Sequence, residues 1–134
     1  MTTTAIIVAA GSGQRLGGAV PKQYQLLGGR PMLAHSARSL ARHPAVRDLV
    51  VVVGEGQEEQ SRSALGGIDA RLVRGGVTRS DSVQAGLAAT TGDAVLVHDA
   101  ARPFCPSEVI DRLIAALPRD ASPDPRSTLP VLLW

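Results

Sequence analysis

The fold of this chain is decided by the stretch Ala5-Ile6-Ile7-Val8-Ala9-Ala10, which runs directly into the loop Gly11-Ser12-Gly13-Gln14-Arg15-Leu16-Gly17-Gly18. The apolar run, residues 4–10, predicts a strand of the fully buried kind that parallel sheets contain. Glycines in the loop let backbone amides approach an anion closely, and the cations Arg15 and Lys22 add positive charge. The stretch therefore predicts a polyphosphate-binding loop at the end of a buried strand.

Strand-like and helix-like segments alternate outward from this stretch. Further strands are predicted at residues 48–53, 69–73 and 94–98, and helices at residues 31–43, 57–65, 80–89 and 107–117. Ser80 and Ser107 are expected to cap the last two helices. Alternation of this kind favours parallel strands joined by right-handed helical crossovers. We therefore expect an α/β fold: a Rossmann-like, doubly wound, mostly parallel sheet with helices on both faces.

The composition is that of a globular protein and argues against several classes of partner. Of the 134 residues, 44% are hydrophobic and 19% are charged, and the net charge is +2. The sequence has no block of like charges and no aromatic residues among basic ones, which argues against a nucleic-acid partner. The apolar N-terminal run is too short to span a bilayer, and the single cysteine, Cys105, excludes an internal disulfide. We expect a cytoplasmic protein that binds neither nucleic acid nor membrane.

Three polar loops follow predicted strands, at residues 11–22, 75–82 and 99–103. Because ligands of open α/β sheets bind beyond the carboxyl ends of the strands, these loops are expected to converge in one crevice. The first loop does not match the Walker A motif, and Leu16 stands where the dinucleotide fingerprint has its third glycine. Glu55, just past the second strand, keeps a nicotinamide-dinucleotide module open as an alternative.

Several side chains in these loops suit nucleotide chemistry. A carboxylate at Asp99, which ends the fourth strand, can hold Mg²⁺ together with substrate phosphates, and a turn cap is an equally good interpretation. Arg79 and Ser82 lie near the start of a helix, where amides and a hydroxyl can meet a nucleotide. His98 is expected to orient the turn after its strand. Lys22 is the only lysine among 14 basic residues, which hints that the position favours a compact point charge.

Four ordered motifs resemble those of a known family. They are Ala9-Ala10-Gly11-Ser12-Gly13-Gln14-Arg15-Leu16, Pro21-Lys22-Gln23-Tyr24, Gly75-Gly76-Val77-Thr78-Arg79-Ser80-Asp81-Ser82-Val83 and Val97-His98-Asp99-Ala100-Ala101-Arg102-Pro103. In this order, within residues 4–117, they closely resemble the 2-C-methyl-D-erythritol 4-phosphate cytidylyltransferases, nucleotidyltransferase-fold enzymes of non-mevalonate isoprenoid synthesis. The resemblance implies transfer of CMP from CTP to 2-C-methyl-D-erythritol 4-phosphate, with release of pyrophosphate.

The resemblance also implies a role for each matching residue. It implies that Arg15 and Lys22 stabilise the pentacoordinate phosphorus and that Asp99 is a ligand of a Mg²⁺ cofactor. The residues that it implies for CTP binding are Ala9, Ala10, Gly11, Ser12 and Gly13 in the first loop, and Gly76, Arg79 and Ser82 in the second. The physical chemistry agrees, because phosphoryl-type transfer depends on positioning and on charge stabilisation.

The resemblance covers residues 4–117 and divides the chain there. We expect residues 1–117 to be the CTP-binding part of a cytidylyltransferase domain, and residues 118–134, with four prolines, to be an irregular or truncated tail of an incomplete sheet. Family members continue with an arm that builds a homodimer and completes the sugar-phosphate pocket. The expected homodimer depends on that arm, which this sequence lacks. In some relatives the domain is fused to a cyclodiphosphate synthase.

Two further alternatives remain open from the sequence. The acceptor could be another alditol phosphate, such as ribitol 5-phosphate, because a similar nucleotide-binding half serves that reaction. A nucleotide-binding fragment without activity would carry the same motifs. The residues that select the sugar lie mostly outside the four motifs. The motifs therefore do not distinguish between these acceptors, or between an active enzyme and an inactive fragment.

Overall fold

The computed structural model describes residues 3–10, 20–90, 94–100, 102, 106–115 and 131–133. In chain order the elements are β1 (Thr3–Ala9), β2 (Leu26–Leu27), β3 (Arg30–Pro31), α1 (Met32–Ala41), β4 (Val46–Val53), α2 (Glu58–Leu65), β5 (Arg71–Arg74), α3 (Arg79–Ala88), β6 (Ala94–Asp99), α4 (Ser107–Ala115) and β7 (Val131–Leu133). Within the described residues, no helix is both long and apolar enough to cross a membrane.

A five-stranded parallel sheet forms the centre of the protein, with the spatial order β5-β4-β1-β6-β7. From β1 the chain proceeds to one side through β4 and β5, then returns to the other side of β1 to form β6. This reversal makes the gap beyond the carboxyl ends of β1 and β6 the switch point of a doubly wound sheet, where such folds bind ligands. The predicted fold class is therefore confirmed, and the convergence of the three loops in one crevice stays a prediction.

Both faces of the sheet are covered, because successive side chains of a strand point to opposite faces. On one face Ile7 and Val51 pack in a core with residues of α1, α2 and α4. On the other face Ile6 and Val52 pack in a second core against α3. The side chains of all four are fully buried, and burial of one such side chain contributes roughly 1.5–3 kcal/mol. This two-sided burial explains why the strands are aliphatic at nearly every position.

Local sequence signals set the ends of the helices. Pro31, whose φ of −58° suits a helix start, lies directly before α1. α2 ends at Gly66, whose φ of +60° is the left-handed conformation that glycine adopts without strain. α3 begins after Thr78, which forms a capping box with Asp81. The prediction that Ser80 caps this helix is wrong. Thr78 has the extended backbone that a cap requires, so the helix begins at Arg79 and Ser80 lies inside its first turn.

Two strand pairings do not follow from the local pattern. β2 and β3 form a small antiparallel hairpin whose turn contains Gly28 and Gly29, both with positive φ. β7 extends the main sheet by pairing with β6 from Val95↔Val131 to Val97↔Leu133. Part of the tail expected to be irregular is therefore a strand, because the edge of β6 offers unpaired backbone groups to an apolar segment. Residues 118–130 lie outside the described residues.

Candidate active site

A pocket of about 240 Å³ opens beside the carboxyl end of β1. Its lining residues are Val8, Ala10, Gly76, Val77, Thr78, Arg79 and Ser82. Four residues that the sequence analysis assigned to CTP binding, Ala10, Gly76, Arg79 and Ser82, thus share one pocket. The segment between β5 and α3, residues 75–78, forms one wall, and the end of β1 forms the other.

The 75–78 segment lies close to α3 because both of its glycines lack side chains. A Cβ atom at Gly75 would lie 2.5 Å from Ser82 Oγ and 2.7 Å from the Cβ of Ala10. A Cβ atom at Gly76 would overlap the Cβ of Asp81. The amide of Gly75 also donates to the carbonyl of Val53 at 2.8 Å, which anchors the segment to β4. The glycine pair is therefore needed for the pocket wall to form.

The N-terminus of α3 faces this wall and is well ordered by its own side chains. Thr78 Oγ1 accepts from the amide of Asp81 at 3.0 Å, and Asp81 Oδ2 accepts from the amide of Thr78 at 3.2 Å. Ser82 is buried in the wall, whereas Arg79 and Val77 are exposed at its rim. The N-terminus of a helix carries partial positive charge, which favours an anionic ligand.

Lys22 lies on a single turn of 3-10 helix, Lys22–Tyr24, and its side chain is exposed. The next residue, Gln23, is buried, and its side-chain amide donates to the carbonyl of Ala9 at 2.9 Å. This hydrogen bond holds the turn against the carboxyl end of β1. The carbonyl of Ala9 is therefore an acceptor for Gln23, and a contact between Ala9 and CTP stays a prediction.

Asp99 is the last residue of β6, is half-buried, and pairs in register with Val8 of β1. The carboxylate thus lies on the strand that forms the other side of the switch point. The amide of Ala100 donates to the carbonyl of Val8 at 3.1 Å, and the amide of Arg102 donates to the carbonyl of Asp99 at 3.1 Å. These bonds fix the turn that presents Asp99.

Two buried side chains stabilise that turn from the core. His98 Nε2 donates to the carbonyl of Arg102 at 2.8 Å, so His98 orients the turn as predicted. Ser36, on α1, places its hydroxyl 3.0 Å from the carbonyl of Ala100 and 2.7 Å from that of Arg102. Burial lowers the pKa of His98 and keeps the imidazole neutral at pH 7.

The donor set fits a magnesium ion only in company with phosphate. Within the described residues, no three His, Cys, Asp or Glu side chains cluster as a metal cage. One carboxylate residue, Asp99, ends β6 beside Val8 of β1, and it is not among the residues that line the pocket. Mg²⁺ is commonly held by one or two carboxylates together with substrate phosphates and water. The arrangement suits an ion that arrives with a nucleotide.

The remaining candidate residues, Gly11, Ser12, Gly13 and Arg15, lie outside the described residues, as does Cys105. Sequence reasoning missed three residues that shape the site: Gln23, Tyr24 and Thr78. The spacing of Thr78 and Asp81 is itself a capping-box signal and could have identified Thr78. Gln23 and Tyr24 have no such local signal, because their partners lie 14 and 37 residues away along the chain.

Comparisons with known proteins identify the family. The model of the 2-C-methyl-D-erythritol 4-phosphate cytidylyltransferase family matches residues 3–130. The chain is 60% identical over 114 residues to a bifunctional enzyme IspD/IspF of Rhizorhabdus wittichii, covering 84% of this chain and 30% of that protein. It is 45% identical over 115 residues to a 2-C-methyl-D-erythritol 4-phosphate cytidylyltransferase of Frankia casuarinae, covering 84% of this chain and 43% of that protein.

A solved structure shares the fold. The crystal structure of a 4-diphosphocytidyl-2C-methyl-D-erythritol synthase from Anaerococcus prevotii superposes with a TM-score of 0.73 at 32% identity, covering 86% of this chain and 50% of that one. The chain thus spans between about a third and a half of the length of these proteins. Because the family model matches nearly the whole sequence, the chain belongs to the 2-C-methyl-D-erythritol 4-phosphate cytidylyltransferase family.

Proposed function

We propose that this chain carries the nucleotide-binding part of an enzyme that transfers CMP from CTP to 2-C-methyl-D-erythritol 4-phosphate and releases pyrophosphate. The observation that carries the proposal is the pocket that gathers Ala10, Gly76, Arg79 and Ser82 beside β1. Membership of the cytidylyltransferase family supports the choice of nucleotide and acceptor.

The pocket suits the nucleoside end of CTP. Its glycine wall lets a ligand approach the backbone, whose amides and carbonyls can read the edge of a base. Ser82 offers a buried hydroxyl and Arg79 an exposed cation at the rim. These polar groups select cytosine over a purine. A purine would leave some of the hydrogen-bonding groups of the pocket unpaired, and this lowers its affinity.

The triphosphate end requires positive charge at the switch point. We assign Lys22 and Arg15 to the α-phosphate, where charge accumulates as the reaction proceeds. A phosphate oxygen of the acceptor attacks the α-phosphorus, the bond to the oxygen bridging the α- and β-phosphates breaks, and pyrophosphate leaves with that electron pair. Fixed cations that meet the developing charge lower the barrier, because they need no reorganisation.

Asp99 would hold a Mg²⁺ ion together with the phosphates of CTP, since a single carboxylate residue at the carboxyl end of β6 suits that mode of binding. When bound, the ion neutralises part of the triphosphate charge. His98 and Ser36 bond to backbone carbonyls of the turn after Asp99. By fixing this turn, they hold the carboxylate of Asp99 in position.

The proposal extends to the assembly of the protein. We infer a cytoplasmic protein that is fused to a cyclodiphosphate synthase domain, because the 60% identical relative is named as a bifunctional enzyme. The family resemblance implies a homodimer only for a protein that carries the dimer arm. The intact mass of the natural gene product tests the fusion: a mass near that of this 13.9 kDa chain contradicts it.

The decisive experiment measures nucleotide preference and turnover in the same preparation. Calorimetry with Mg²⁺ present is expected to show tighter binding of CTP than of ATP or GTP. Equal affinity for all three nucleotides contradicts the proposal. Release of pyrophosphate with methylerythritol phosphate, compared with ribitol 5-phosphate, then identifies the acceptor, and CTP binding without release indicates a nucleotide-binding fragment.

A further inference from the structure

We propose that Tyr24 is a positioning residue for Lys22: its buried hydroxyl, bonded to α2, holds the turn that carries the lysine against the catalytic edge of the sheet. The inference rests on the proposed function, because it concerns how the ammonium group of Lys22 reaches the phosphates. The inference gives a role in the reaction to α2, which contributes no residue to the pocket.

The turn that carries Lys22 has little stability of its own. It is a three-residue 3-10 helix, and Pro21 precedes it without a side-chain cap. Its internal hydrogen bonds run from the amide of Tyr24 to the carbonyl of Pro21 at 3.0 Å and from Gln25 to Lys22 at 3.1 Å. Short 3-10 helices have poor hydrogen-bond geometry, so such a turn keeps one conformation only when other contacts hold it.

Tyr24 supplies the firmest of those contacts. Its side chain is 6% exposed, and its hydroxyl lies 2.6 Å from Ser61 Oγ on α2. The hydroxyl also donates to Gln57 Oε1 at 3.3 Å, at the start of the same helix. Burial raises the pKa of Tyr24, so the phenol stays protonated and remains a donor. A buried hydroxyl with these partners is costly to displace.

The partners of Tyr24 are themselves fixed to the sheet. The amide of Gln57 donates to the carbonyl of Gly54, directly after β4, at 3.0 Å, and the amide of Ser61 donates to the carbonyl of Gln57 at 2.9 Å. Gln57 packs so closely that a Cβ atom at Gly54 would lie 2.8 Å from its Oε1. The anchor of Tyr24 thus reaches the carboxyl end of β4.

Gln23 provides a second anchor at the carboxyl end of β1, through its 2.9 Å bond to the carbonyl of Ala9. Lys22 therefore precedes two consecutive anchored residues: Gln23 bonds to β1, and Tyr24 bonds to Gln57 at the start of α2 and to Ser61 within it. A cation in this position is pre-organised, and loss of one anchor lets it sample positions in which it no longer meets the phosphate.

The test is Tyr24→Phe, which removes the hydroxyl and keeps the ring. We expect kcat to fall roughly 10- to 100-fold, since a displacement of about 1 Å can cost that much, while the KM for CTP changes little. The matched control is Glu58→Gln, which removes an exposed ion pair to Arg74 (3.0 Å) from the same helix. Exposed pairs contribute little, so this variant should keep its kcat.

A double variant separates positioning from stability. Tyr24→Phe leaves Ser61 with an unpartnered buried hydroxyl, and adding Ser61→Ala removes that hydroxyl. If Tyr24 positions Lys22, the double variant regains thermal stability but not kcat. Recovery of kcat together with stability assigns Tyr24 a purely structural role and overturns the inference.

Lys22 is the only lysine of the chain, which permits a readout independent of turnover. The 134-residue chain labelled with ¹³Cε-lysine gives one lysine side-chain signal, and CTP with Mg²⁺ and no acceptor is expected to shift it. In Tyr24→Phe the shift should shrink by at least half. A wild-type protein with neither shift nor turnover refutes the proposed function. If CTP shifts the lysine signal of the wild-type protein and shifts that of Tyr24→Phe equally, only the inference about Tyr24 is refuted.

Discussion

Gly75 illustrates how one absent side chain shapes a binding site. Its backbone passes between Ser82 and Ala10 with no room for a methyl group, since a Cβ atom would lie 2.5 Å from Ser82 Oγ and 2.7 Å from the Cβ of Ala10. Both neighbours line the pocket. A side chain at Gly75 would therefore displace two residues that line the pocket.

We expect Gly75→Ala to weaken CTP binding at least about fivefold, because overpacking of this kind costs roughly 1–3 kcal/mol and the displaced groups are pocket walls. Calorimetry measures the dissociation constant. Gly66→Ala is the matched control: its φ of +60° makes alanine strained, but nothing lies within 4 Å of the added methyl. That variant should lose about 1–2 kcal/mol of stability and bind CTP normally. Unchanged CTP binding in Gly75→Ala would show that the segment can shift freely.

The proposed contribution of Lys22 to catalysis also comes from a single residue, because it depends on one positive charge. We expect Lys22→Ala to reduce kcat on the order of 10³-fold or more, as for other phosphate-directed cations, with a smaller effect on the KM for CTP. The sequence predicts the same for Arg15→Ala. Arg38→Ala, an exposed cation of α1, serves as the control and should leave kcat unchanged. A change confined to KM argues against a role in the transition state.

At the scale of elements, α3 is held to the sheet by a close approach at Gly86. A Cβ atom there would lie 2.7 Å from Ile6 Cγ2 and 3.0 Å from Val52 Cγ2. The approach lets the N-terminus of α3 reach the pocket wall while Val83 and Leu87 pack against the sheet. The position of this helix therefore depends on a residue that is unfavourable for helices in general.

We expect Gly86→Ala to destabilise the protein despite its higher helix propensity. The gain of about 1 kcal/mol from propensity opposes an overpacking cost of roughly 1–3 kcal/mol, so the net loss should reach 2 kcal/mol at most. Urea unfolding measures it. Gln84→Ala, exposed on the same helix, should stay within about 0.5 kcal/mol of the wild type. A more stable Gly86→Ala variant would contradict the close packing of α3.

At the scale of the whole molecule, His98 connects the central sheet to the turn that carries Asp99. It is fully buried in β6 and bonds the carbonyl of Arg102 at 2.8 Å. Burial is the main cause that lowers the pKa of His98 from its ordinary value of 6.5. Between the lowered pKa of folded His98 and pH 6.5, the unfolded chain therefore binds a proton that the folded protein does not.

This difference predicts how stability depends on pH. The contribution of neutral His98 is complete above pH 6.5 and is lost as the pH falls toward the lowered pKa of the folded state. For one proton the slope cannot exceed about 1.4 kcal/mol per pH unit. Urea unfolding at several pH values should show a shallower slope for His98→Gln, which keeps an amide donor but does not titrate. Equal slopes for both proteins would contradict this origin.

Much of the fold and part of the site followed from local sequence. Continuous aliphatic runs identified β1, β4 and β6, and the glycine loops after the strands predicted a crevice at their carboxyl ends. The capping box of Thr78 and Asp81 was also encoded locally, although Ser80 was chosen in its place. These features are predictable because the responsible residues lie within one or two turns of each other.

The amino-acid sequence by itself determined the α/β class, the order of the four longer helices and of β1, β4, β5 and β6, and the family, since all three depend on local patterns and ordered motifs. Only the tertiary structure decided that β7 pairs with β6, that Gly75 fits between Ser82 and Ala10, and that Tyr24 bonds Ser61. The physical reason is separation along the chain. A hydrogen bond or a close contact between distant residues leaves no periodic trace in sequence, and arises only when the packed sheet brings its partners together.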